Sequence, residues 1–273
     1  MFRISCFADE VCPDLNGQIE FMAANHIQYV ELRSVWDKNV LDLSDGELDA
    51  VKGRLFENSI KVSSIGSPIG KVNITDDFGE HMKRLERAIH AALTMESKYI
   101  RIFSFYMDRR DTDRYEETVI GRLNQMLEIA VKNNIVLLHE NEAGIYGESS
   151  EHCQILMEKL GGPNFKAVFD PSNFIIAGED AYGQSFKRME KYVEYVHVKD
   201  SVKSTKEIVV AGEGDGHIKQ IMDELRQKDG LFVSLEPHLA LAGRFAGFTG
   251  PELFKKALDA FRLILDKLAI LYE

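Results

Sequence analysis

Short apolar and β-branched runs alternate with longer stretches of helical spacing along the whole chain. The runs at 2–7, 28–32, 60–65, 99–104, 135–140, 166–170, 192–198 and 231–236 read as strands. Amphipathic stretches at 14–25, 44–58, 78–95, 113–133, 149–160, 180–191, 216–227 and 251–272 read as helices. Within 78–95, Met82, Leu85, Ile89 and Leu93 fall at helical spacing. Pro251 suits the first turn of the last helix. Along that helix Leu253, Phe254, Ala257, Leu258, Phe261, Ile264, Leu265 and Leu268 form an apolar stripe that predicts packing against the barrel. Strict alternation of strand and helix predicts a parallel sheet. Eight such units in 273 residues predict an α/β fold of a single (β/α)8 TIM barrel, one domain over 1–273. No Gly-x-Gly-x-x-Gly follows an early strand, which argues against an open doubly wound sheet.

Composition narrows the partners. A net charge of -11 disfavours nucleic acid. Three cysteines, Cys6, Cys12 and Cys153, cannot build a disulfide framework and predict reduced thiols in a cytoplasmic protein. The opening residues read as a first strand rather than a signal peptide. No apolar stretch approaches the length of a membrane span, so no membrane partner is expected. The sequence leaves open whether the chain forms a homo-oligomer.

Four signatures then follow one another in the second half: Leu-Leu-His-Glu140-Asn, Val-Phe-Asp170-Pro-Ser-Asn, Val-His197-Val-Lys-Asp and Ser-Leu-Glu236-Pro-His. Each is an apolar run that ends in a metal-capable side chain, about one strand-plus-helix unit from the next. Side chains on a strand alternate between faces. Val136, Leu138 and Glu140 therefore share a face, as do Val168 and Asp170, then Tyr195, His197 and Lys199, then Phe232, Ser234 and Glu236. Their neighbours Leu137, Phe169, Val196 and Leu235 are apolar, as helix-facing positions should be. Each polar residue then points inward at the C-terminal end of its strand, where barrel active sites lie. Three carboxylates and one imidazole brought into one mouth would carry uncompensated negative charge, which one divalent cation removes. A hard N/O set of this kind suits Mn²⁺, Co²⁺, Zn²⁺ or Mg²⁺.

On these motifs the chain resembles the xylose isomerase-like TIM-barrel superfamily, in its sugar (phosphate) isomerase/epimerase branch. That branch includes D-tagatose/D-psicose 3-epimerases, hydroxypyruvate isomerase, inosose dehydratases and, more distantly, endonuclease IV. The resemblance spans the whole chain and extends to the Gly-rich stretch 212–216. It implies that Glu140, Asp170, His197 and Glu236 hold one divalent metal ion, with Glu140 and Glu236 doubling as the acid/base pair. The chain departs from the epimerase pattern at three substrate-contacting positions. Asn173 stands where a His is usual, Lys203 where an Arg is common, and Glu142 where many relatives have His.

The chemistry so implied is proton abstraction beside the carbonyl of a ketose or keto-polyol, through an enediolate, with isomerisation or epimerisation as the outcome. A leaving group β to the carbonyl turns the same chemistry into that of a lyase or dehydratase. A non-catalytic sugar-binding barrel is disfavoured by the two intact glutamates. Lys199, His238 and Arg101 are further candidates for contact with a carbohydrate substrate. Lys199 has an alternative as an ion pair with Glu142 or Asp200, and Glu31 and Arg33 share a face and are expected to pair across the rim. Trp36, the only tryptophan, reads as packing, and His26 as exposed. The Gly-rich segment 243–250 reads as a lid or a subunit contact.

Overall fold

The computed structural model describes residues 1–239 and 249–273. Eight parallel strands form the barrel: β1 (Arg3–Cys6), β2 (Tyr29–Leu32), β3 (Lys61–Ile65), β4 (Tyr99–Ile102), β5 (Val136–Glu140), β6 (Phe165–Phe169), β7 (Val193–Val198) and β8 (Phe232–Leu235). Each lies in a run expected from the sequence, trimmed or shifted by one or two residues. The helices are α1 (Leu15–Ala24), α2 (Asp45–Glu57), α3 (Phe78–Thr94), α4 (Thr112–Lys132), α5 (Ser150–Leu160), α6 (Pro171–Ala177), α7 (Ile218–Leu225) and α8 (Pro251–Lys267). No helix among the described residues is long and apolar enough to cross a membrane.

Local chemistry explains the boundaries. Asp14 and Asp77 cap α1 and α3 with their side chains, and Ser44 with Glu47 forms a full capping box on α2. Two helical features escaped the periodicity. The first is α6, only seven residues long, begun by Asp170 as N-cap with Pro171 behind it. The second is the expected helix at 180–191. It is a π-helical turn (Ala181–Phe186), a short α segment (Lys187–Met189) and a 3-10 turn (Glu190–Tyr192). An Asx cap at Asp180 tightens its start.

Seven of the eight strand pairs are joined by parallel ladders, in the order β1-β8-β7-β6-β5-β4-β3-β2. The eighth junction, β1 beside β2, has no ladder among the described residues. Side chains and the segment Leu271–Glu273 close it. The amide of Phe2 donates to the Leu271 carbonyl, that of Ile4 to the Glu273 carbonyl, and Arg3 pairs with the Glu273 carboxylate at 3.0 Å. Apolar outward faces of the strands pack against the helices, and Leu137, Phe169, Val196 and Leu235 are all buried there. His139, on that same outward face, is buried against Phe165 and hydrogen-bonded to Ser104 at 3.0 Å. Inside the barrel, Tyr99, Val136, Leu138, Val168 and Tyr195 make a second apolar layer. Above it Ser5, Ser63 and the Tyr195 hydroxyl form a hydrogen-bonded chain at 2.6 and 2.9 Å.

Candidate metal centre at the barrel mouth

The register places Ser234 beside His197 and Val168 beside Glu140, so the ends of β5 to β8 reach one level. Glu140, Asp170, His197 and Glu236 meet there, each offering a ligand atom within 4.8 Å of the others. All four are buried, at 3% exposure or less. His197 Nδ1 lies 3.0 Å from Glu140 Oε1 and 3.6 Å from Glu236 Oε2. Its other nitrogen, Nε2, faces Glu31 Oε2 at 3.2 Å. A carboxylate behind the histidine fixes the ring and leaves Nδ1 directed at the cluster.

Asp170 divides its two oxygens. Oδ1 accepts the Asn173 amide as the cap of α6, and Oδ2 turns toward the mouth. Asn141 and Asp170 exchange two hydrogen bonds, of 2.9 and 3.0 Å, that fasten the end of β5 to that of β6. Glu140 Oε2 and Asp170 Oδ2 are buried and meet only cations among the described residues, Arg101 Nη1 at 3.3 Å from the first and Lys199 Nζ at 2.7 Å from the second, so each keeps lone pairs to spare. Unfilled carboxylate lone pairs at a point where four donor atoms converge fit a hard divalent ion.

The mouth is better compensated than the sequence suggested. Arg33, Arg101 and Lys199 all reach into it. Arg33 Nη1 is 2.9 Å from Glu236 Oε1, Arg101 Nη1 is 3.9 Å from the same oxygen, and Lys199 Nζ is 3.2 Å from Glu236 Oε2. The expected excess of bare negative charge is therefore corrected: three permanent cations share the carboxylates, and the case for a metal rests on the unfilled lone pairs. Burial raises the Glu140 carboxyl, but the charges of His197 and Arg101 outweigh it and hold it at about 2. Burial likewise opposes ionisation of Glu236, and Lys199, His238, His197 and Arg33 together hold it well below the usual range. Burial dominates at Asp170, which sits at about 7 despite Lys199. His197 is disfavoured as a cation by burial, yet Glu140 and Glu31 raise it well above its ordinary value.

Other expectations resolve as follows. Arg101, Lys199, Asn173 and His238 join the cluster. Asn173 Nδ2 donates to the Asn141 carbonyl at 2.8 Å and lies 3.4 Å from Glu140 Oε1. Lys199 pairs with Asp170 and Glu236 rather than with Glu142 or Asp200. Glu142 instead meets Lys71 at 3.0 Å. Lys203 stands apart, exposed, with its amide donating to Asp215. Glu31 and Arg33 do not pair with each other; they support His197 and Glu236 respectively. Trp36 is 37% exposed and His26 is exposed. Of the Gly-rich segment 243–250, residues 243–248 lie outside the described residues. Asp200 anchors the other Gly-rich stretch, accepting the amides of Gly212, Gly214 and Gly216.

Two residues beyond the end of the first strand were missed. Asp9 accepts from Arg33 at 2.7 Å, and fully buried Glu10 faces His238 Nε2 at 3.2 Å. Their signal was available: Cys-Phe-Ala-Asp-Glu is an apolar run ending in charge, as in the later strands.

The family profile described as xylose isomerase-like TIM barrel matches residues 19–264, and the chain belongs to that family. Among solved structures it is similar to the probable 3-DHS dehydratase AsbF of Bacillus anthracis, with 16% identity, TM-score 0.77, and coverage of 96% of this chain and 99% of that one. It is also similar to D-psicose 3-epimerase of Clostridium cellulolyticum H10 crystallised with D-tagatose, with 14% identity, TM-score 0.73, and coverage of 99% and 100%. A third is the IolI protein with a bound zinc atom, with 17% identity, TM-score 0.73, and coverage of 97% of each chain. At these identities the likeness shows the fold. No curated protein matches the chain in sequence.

Proposed function

We propose that this chain is a divalent-metal-dependent isomerase or epimerase of a ketose or related keto-polyol, working by proton abstraction beside the carbonyl. The observation that carries the reading is the convergence of ligand atoms of Glu140, Asp170, His197 and Glu236 from consecutive strands, all buried. When bound, a divalent ion supplies Lewis acidity to a substrate carbonyl. Surrounding cations hold Glu140 and Glu236 in the ionised form, so either carboxylate can accept a carbon-bound proton. Arg101 lies within ion-pair range of both, and Arg33 hydrogen-bonds Glu236. Lys199 and His238 offer polar groups to substrate hydroxyls. Burial of all four cluster residues keeps bulk water from their carboxylates.

Elimination is the second reading. It needs the same proton abstraction plus a leaving hydroxyl, and Lys199 beside Glu236 provides an ammonium to bind it. Incubation with ketoses and keto-inositols in D₂O separates the outcomes. Deuterium entry at carbon without loss of water supports isomerase or epimerase action. Net dehydration supports the lyase. Retention of one metal per chain with no exchange on any ketose would sink the catalytic reading, and metal content unchanged in His197→Ala would sink the site.

A further inference from the structure

Beside the first cluster lies a second convergence of donor atoms. Glu10, Glu236 and His238 each place a ligand atom within 4.8 Å of the others. Glu10 lies four residues past β1, Glu236 immediately follows β8, and His238 lies two residues beyond it. The two oxygens of Glu10 have different surroundings. Oε2 receives the Thr249 hydroxyl and the His238 amide. Oε1 is buried within a residue of 0% exposure and accepts no hydrogen bond among the described residues. Opposite it, His238 Nε2 is also buried and has no hydrogen-bond partner among the described residues. The ring nitrogen is 3.2 Å from Glu10 Oε1 and 3.5 Å from Glu236 Oε1, yet bonds to neither. His238 holds a left-handed backbone, φ 45°, to bring its ring here.

Those separations are informative. Ligand atoms about 2.0–2.1 Å from a tetrahedral zinc ion stand roughly 3.3–3.4 Å apart. The two measured spacings bracket that value, and buried donors that satisfy no hydrogen bond call for an explanation. The geometry points to a second divalent-cation site formed by Glu10 Oε1, His238 Nε2 and Glu236 Oε1, with solvent as the fourth ligand. It is of the class that takes Zn²⁺, with one imidazole and two carboxylates. Glu236 bridges the two sites: Oε2 faces His197 and Lys199, and Oε1 faces His238. The site rests on the first reading only through this shared carboxylate.

Arg33 sets the strength of binding. Its Nη1 shares Glu236 Oε1, whereas Nη2 is 4.0 Å from Glu10 Oε1 and leaves that oxygen free. Arg33 also has Asp9 as a 2.7 Å partner, which keeps the guanidinium compensated when Glu236 turns to a cation. Repulsion from Arg33 and from an ion in the first site makes the second Zn²⁺ weaker, by roughly tenfold or more.

The test is equilibrium dialysis of the full chain against stepped free Zn²⁺ up to the millimolar range, with metal counted per chain. Wild type is expected to take a second ion after the first. Glu10→Gln and His238→Ala should each stop at one, and Asp170→Ala should lose the tighter ion. His238→Ala leaves the Glu10 bonds to Thr249 intact, so it reports even where Glu10→Gln perturbs folding, which circular dichroism would reveal. Wild type saturating at one ion, or His238→Ala still binding two, overturns the second site and leaves the first standing. No bound zinc at all overturns both.

Discussion

Nε2 of His197 lies 3.2 Å from Oε2 of Glu31, a residue 166 positions earlier in the chain. The pair ties the second strand to the metal-facing histidine, and both side chains are almost wholly buried. Carboxylates placed behind ligating histidines typically change metal affinity by about 10–100-fold when lost. Glu31→Ala should therefore weaken metal binding by about that factor, with Glu31→Gln recovering part of it. A competition titration against a chelator measures this; equal affinities in all three proteins would remove Glu31 from the site.

Lys199 stands between Asp170 and Glu236 at 2.7 and 3.2 Å. Lys199→Met leaves two buried carboxylates short of a cation, which costs about 3–5 kcal/mol in chelator-treated protein. A divalent ion should restore most of it. The expected outcome is a variant whose melting temperature drops sharply without metal and rises more than wild type when metal is added. Parallel shifts in the two proteins would contradict this.

Burial raises the Glu10 carboxyl to about 8, with Arg33 opposing and Glu236 adding to the rise. Between its unfolded value near 4.5 and about 8, the folded state therefore binds the extra proton, and Glu10 lowers stability as pH rises through that window. In metal-free protein Glu10→Gln should flatten the decline in melting temperature from pH 5 to 8. Glu140 acts on the acid side. Held at about 2, its contribution is complete above pH 4.5 and disappears as pH falls toward 2. An unchanged slope in Glu10→Gln would show that Glu10 does not titrate differently in the two states.

The Asp200 carboxylate gathers three glycine amides, and a Cβ on Gly214 would come within 2.4 Å of its Oδ1. Gly214→Ala must displace that carboxylate or the loop. A loss of about 2 kcal/mol or more is expected, read by chemical denaturation. Asp200→Asn, which keeps shape but halves the acceptors, should fall between the variant and wild type.

The sequence revealed the architecture well because the barrel repeats one simple rule. Each strand run ended within two residues of its expected place, and inward parity at β5 to β8 put Glu140, Asp170, His197 and Glu236 together. Where the reading fell short, the missing information was nonlocal or short. α6 is seven residues begun by a cap, too brief for periodicity. Arg33 meets Glu236 across 203 positions, and no local pattern reports such a partner. Glu10 sits in a run whose parity was never followed past the first strand. The cations at the mouth were hidden for the same reason, since Arg33, Arg101 and Lys199 reach Glu236 from three different strands.

The unladdered junction between β1 and β2 has a consequence for mechanics. At one end it is held by Leu271–Glu273, at the other by Asp9, which receives both Arg33 Nε and the Ser34 hydroxyl at 2.7 Å. Arg33 thus serves as a buckle as well as a neighbour of Glu236. The one seam of the wall without a ladder among the described residues runs into the mouth, and its closure there depends on side chains that also set the charge around Glu236. Substitutions that retune that charge will loosen or tighten the seam along with it.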